Sequence, residues 1–65
     1  MNKIKRNYCL DIVKKYGATR NIEMAQVWLD RAMEAAPLTE LQLHNIKMKM
    51  RDSDYRKLNL PEDLR

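Results

Sequence analysis

Apolar residues recur along this chain at spacings of three and four, and nowhere do they alternate over the length of a strand, so the pattern predicts helices. A first helix is expected over residues 3–16, where Tyr8, Cys9, Ile12, Val13 and Tyr16 fall on one face. Gly17 should stop it, because glycine accepts the left-handed conformation of a helix end, and Lys14 and Lys15 suit the last turn. A second helix is expected over residues 20–36, capped by Thr19 or Asn21 and ended by Pro37, which has no N–H to donate. Its inward row is Ile22, Ala25, Leu29, Ala32 and Ala36, with Trp28 and Met33 on its flanks. The third helix, residues 40–51, has the clearest start. Thr39 and Gln42 form a T-x-x-Q capping box, and Leu38 and Leu43 are placed as a hydrophobic staple. Its apolar residues fall into two rows, Leu43, Ile46 and Met50 on one side and Leu41, Met48 and Tyr55 on the other. Beyond Asp52 the periodicity fades. In the tail, residues 52–65, the residues Leu58, Leu60, Pro61 and Leu64 either fold back as a short turn or terminal helix, or fray.

The expected fold is therefore all-α, a single domain over residues 1–65, built as a small bundle of three helices with a central helical hairpin. Composition agrees, since one Gly, two Pro and no Phe stand among abundant Ala, Leu, Met, Lys, Arg and Glu. A chain of 65 residues hides only about 60% of the surface it exposes when unfolded, so its own core is barely sufficient. Disulfides or a metal often make up the difference in such small domains. Here the lone Cys9 cannot form an internal disulfide, and Cys9 with His44 is too few for a zinc site. No cofactor or metal is expected, which leaves helix packing or association. A free cysteine beside five methionines fits a reducing compartment, no apolar run approaches the roughly 20 residues that cross a bilayer, and no signal-peptide pattern is present. A cytoplasmic location is expected, with no membrane contact.

An excess of apolar helical surface changes the functional expectation. The row Ile22, Ala25, Leu29 and Ala32 reads as core. Trp28 serves either core or interface, because it is large and carries one N–H that wants a partner. A three-helix miniature has no second layer for Leu41 and Met48, so these, with Tyr55 and Trp28, are the candidate protein-binding residues, and methionine gives such a surface room to repack. The partner is another protein, and a homodimer is compatible with the same stripe.

Charge adds a runner-up. The net +4 divides into six basic side chains and one acidic over residues 1–20, one basic and four acidic over 21–46, and six basic and four acidic over 47–65. The basic first segment makes Lys3, Lys5, Arg6, Lys14, Lys15 and Arg20 candidates for weak nucleic-acid contact, as in a small DNA-binding or nucleoid-associated protein. Sequence-specific base reading is not supported, because Lys47, Lys49 and Arg51 alternate around their helix and nothing resembles a recognition-helix turn. Catalysis is not expected either. His44 has no evident nucleophile, Cys9 no nearby histidine, and Arg31 with Glu34 reads as a helical ion pair.

The run "MAQVWLDRAMEAA", residues 24–36, resembles the signature of the ANR regulators (AraC negative regulators) and the related PerC-like proteins of enteric bacteria. Met24 with Ala25, Trp28 with Leu29, Ala32, and Ala35 with Ala36 carry the likeness, with Leu38 and Thr39 as the gap and Leu43 and Ile46 opening the partner helix, so it spans residues 18–51. The resemblance implies a small cytosolic regulator that binds an AraC-type transcription activator and blocks it by contact, or, as in PerC-like proteins, one linked to virulence promoters. A helical subunit or chaperone of a larger assembly shares the same exposed-stripe logic.

Overall fold

Among the described residues, 1–61 of the computed structural model, four helices follow one another: α1 (Lys3–Ala18), α2 (Ile22–Ala35), α3 (Glu40–Met48) and the single turn α4 (Asp52–Tyr55). No strand occurs among these residues, and the fold is all-α. Each of the three longer helices starts on a side-chain cap. Asn2 Oδ1 accepts from the Lys5 N–H at 3.0 Å, and Asn21 Oδ1 accepts from the Met24 N–H at 3.4 Å. At α3 the reciprocal box is complete, with the Gln42 N–H donating to Thr39 Oγ1 at 3.3 Å and the Thr39 N–H donating to Gln42 Oε1 at 3.0 Å. Leu38 and Leu43 are both buried beside it, as the staple requires.

α1 and α2 form an antiparallel hairpin, and the Asn2 N–H closes its open end by donating to the Ala35 carbonyl at 2.7 Å. The seam is lined by Ala25, Leu29 and Ala32 of α2, all wholly buried, against Cys9, Leu10 and Val13 of α1. Small side chains at the seam let the two backbones come close. α3 lies more lightly against α1, bringing Leu43 and Ile46 into the same cluster, and Leu58 closes the core from below. Its Cα radius of gyration, 10.5 Å, matches the roughly 11 Å of a compact chain of this length.

The turn between α1 and α2 departs from expectation. Gly17 does not end α1. The helix runs to Ala18, and the left-handed residue is Arg20, at φ 63°. The Arg20 N–H donates to the Gly17 carbonyl at 3.1 Å and the Asn21 N–H to the Tyr16 carbonyl at 2.9 Å, which together make a Schellman motif with arginine where glycine is usual. A non-glycine residue there costs roughly 1 kcal/mol, so other contacts of Arg20 must hold it. Gly17 serves a different need: a Cβ placed on it would sit 3.3 Å from Met50 Cβ, so glycine lets Met50 pack directly on the α1 backbone.

The inward face of α1 is also rotated from the expected one. Arg6, Cys9, Leu10, Val13 and Gly17 are buried, whereas Tyr8 is exposed and Ile12 only half-buried. Gln42 of α3 reaches Asn7 and Met50, just beyond α3, packs on Gly17, so the segment after α2 helps decide which stripe of α1 is inside. α2 stops at Ala35, one residue early, because Ala36 precedes Pro37 and adopts an extended backbone. α3 stops at Met48, not near Arg51. Its last turn tightens through i to i−3 bonds from Lys49 to Ile46 and from Met50 to Lys47, and an extended Arg51 then redirects the chain into α4. The tail does fold back as far as the description reaches, with Leu58 buried and Leu60 half-buried, while Leu64 lies outside the described residues.

If Gly17 is needed for the approach of Met50, Gly17→Leu should cost about 1–3 kcal/mol by overpacking. Adding Met50→Ala should recover part of that loss, a coupling that urea denaturation of the two single variants and the double variant would measure. Additive losses would mean that the two positions are independent.

Candidate protein-docking surface

α3 is apolar on both sides, and its two sides have different fates. Leu43 and Ile46 are buried, while Leu41 and Met48, two helical turns apart on the opposite pole, are 68% and 71% exposed. Tyr55 does not join them. It stands on α4, half-buried against the core, with Lys47 Nζ 5.9 Å from its ring centre, and burial pushes its phenol pKa up. The outer row of α3 is therefore Leu41 and Met48 without Tyr55.

Trp28 belongs to another part of the surface. It is half-buried at the edge of the α1–α2 seam, in a groove of about 570 Å³ formed by Lys5, Tyr8 and Cys9 of α1 and Trp28, Arg31, Glu34 and Ala35 of α2. Neither Leu41, Met48 nor Tyr55 lines it. The Arg31 guanidinium lies 4.7 Å above the indole, a cation–π contact. Among the described residues no Arg31–Glu34 ion pair forms, contrary to their helical spacing, because the arginine is turned onto the tryptophan. Tyr8, Lys5 and Arg31 were hidden from a periodicity argument, which assigns Tyr8 to the core. The available signal was Arg31 at three residues from Trp28, a spacing at which side chains meet.

The basic residues of the first segment are not one free cluster. Arg6 is buried, its Nη1 donating to the Pro37 carbonyl at 2.7 Å and its Nε and Nη2 donating to Asn7 Oδ1 at 3.2 Å each, so it ties α1 to the α2–α3 turn. Arg20 grips Asp54 through Nε at 3.0 Å and Nη2 at 3.3 Å. Lys14 is half-buried, 3.7 Å from Asp11. Lys3, Lys5 and Lys15 remain exposed. Arg6 and Arg20 are thus structural cations, not open contacts for phosphate.

Asp54 is 1% exposed, and the fork of Arg20 meets both its oxygens. The hydrogen bonds from Arg20 hold the Asp54 carboxyl below its usual value, outweighing the upward push of burial, and the charges of Arg20, Lys57 and Arg51 add to the effect. The same bonds raise the Arg20 pKa. Arg20 in its left-handed position and α4 are held by one contact. The described residues hold no group of three or more His, Cys, Asp or Glu side chains placed to share a metal, and none of their helices is long and apolar enough to cross a membrane. Comparison with family models, with curated proteins and with solved structures finds no match to this chain.

The Asp54 shift has a measurable sign. A carboxyl depressed in the folded state stabilises it above the unfolded value, near 3.8, and that contribution disappears as pH falls through the folded value. Asp54→Asn should therefore lower the melting temperature at about pH 7, and the gap to the parent should narrow as pH falls below the unfolded value of 3.8. A gap that stays constant over that range would overturn the assignment.

Proposed function

We propose that this chain is a non-catalytic regulator that works by binding another protein through Leu41 and Met48 on α3 and through the Trp28 flank of α2. On the resemblance of residues 24–36, its partner is an AraC-type transcription activator, which it antagonises in the cytoplasm. The exposure of Leu41 and Met48 opposite the buried Leu43 and Ile46 is the observation that supports this most directly. A short amphipathic helix needs one apolar side to join its own core, and none of the described residues covers the second side.

The nucleic-acid alternative loses ground on the placement of its residues. With Lys3, Lys5 and Lys15 as the exposed cations of α1, about three phosphate contacts would give a salt slope near −3 and weak, unspecific binding. Titration of duplex DNA at low and moderate salt would reveal a steeper slope if a larger basic surface were in play.

Met48→Asp replaces a side chain in water, so stability should change by no more than about 0.5 kcal/mol. Binding to a purified AraC-type activator should be lost while helix content, read by circular dichroism, is kept. An unfolded variant would place Met48 in a core, and unchanged binding would remove the outer α3 row from the interface.

A further inference from the structure

The α1–α2 hairpin has one covered face and one open face. On the covered face Gln42 Nε2 donates to Asn7 Oδ1 at 3.1 Å, Met50 rests on Gly17, and the Asn59 N–H donates to Gln26 Oε1 at 2.7 Å. Residues two positions apart on a helix point in nearly opposite directions. Lys5 therefore lies across α1 from Asn7, and Trp28 lies across α2 from Gln26. Both belong to the groove on the open face. Tyr8, 64% exposed, and Ile4, 85% exposed, add apolar side chains along α1.

We propose that this open face seats an acidic amphipathic helix of the partner protein, laid between α1 and α2 with an apolar side chain against Tyr8 and Trp28. The proposal rests on the protein-binding function above and names the chemistry of the partner segment. Two antiparallel helices leave a trough between them that a third, amphipathic helix can fill. Charge selects the sign. Lys5 and Arg31 flank the groove against Glu34 alone, and Lys15 shares the outward face of α1 with Ile4 and Tyr8, while Asp11 is engaged by Lys14. Carboxylates on the incoming helix would meet Lys5, Lys15 and Arg31. A second copy docked by twofold symmetry would instead bring together two grooves of the same net sign, since Lys5 and Arg31 outnumber Glu34 in each.

The chain's single tryptophan lies in the groove and reports on it directly. The probes are two synthetic peptides of about 18 residues, long enough to form a helix, with leucines at i, i+3, i+4 and i+7 and either glutamates or lysines elsewhere. The acidic peptide should shift Trp28 emission saturably and bind at least about tenfold more tightly than the basic one, with affinity falling as NaCl rises. Lys5→Glu combined with Arg31→Glu, two exposed changes checked for native helix content, should weaken it by about tenfold or more, and Lys5→Gln alone by less. Absence of saturable binding, equal binding of the basic peptide, or indifference to these variants would overturn the proposal. So would a concentration-dependent dimer that shields Trp28, or duplex DNA that shifts its emission in the same range. Failure of the groove is separable from failure of the function. If the charge-reversed variant still binds the activator while Met48→Asp does not, the groove is wrong and the protein-binding role stands.

Discussion

Close approach of the first two helices is the constraint on which the rest of this structure depends. Ala25 and Ala32 leave no side chain beyond Cβ to hold the helices apart, and Leu29 between them fills the seam. A hairpin packed this closely has two narrow faces, and the segment after α2 covers one of them. Gly17 extends the same logic at right angles. With no side chain there, Met50 can rest on α1, and the chain leaving α3 is drawn in where it would otherwise run on as helix.

Polar contacts then fix what packing leaves loose. α3 makes few contacts with α1, yet Asn7 Oδ1 accepts from Gln42 Nε2 while the Gln42 carbonyl completes the capping box, so the start of α3 is oriented by α1. Asn7 Oδ1 also accepts from Arg6, whose guanidinium reaches the Pro37 carbonyl and so ties down the turn that precedes α3. At the other end, Asp54 answers Arg20, and Gln26 answers the Asn59 backbone. Every buried side-chain polar atom among the described residues finds a partner, which is what allows an arginine and an aspartate inside so small a fold.

These contacts also reshape the functional surface. A basic first segment reads as an electrostatic footprint only while all its cations are counted together. Once Arg6 is turned inward and Arg20 is paired with Asp54, the remaining lysines no longer form a broad basic patch, and Lys5 borders the groove beside Tyr8 and Trp28. On the function proposed above, exposed apolar side chains beside isolated cations would meet a protein partner and not a phosphate backbone.

The three longer helices, the seam of α2 and the start of α3 were legible in the amino-acid order, because each depends on neighbours within one or two turns. Alanines at helical spacing, a T-x-x-Q box and a proline stop act locally. The split of α3 into an inner and an outer row was legible for the same reason. What Gly17 and Arg20 are for depended on partners 30 or more residues away, Met50 and Asp54, and which stripe of α1 faces inward and where Tyr8 and Tyr55 lie depended on how the elements come together. Periodicity describes the faces of a helix, but only the arrival of a neighbouring element decides which face is shielded from water, and that choice belongs to the tertiary structure.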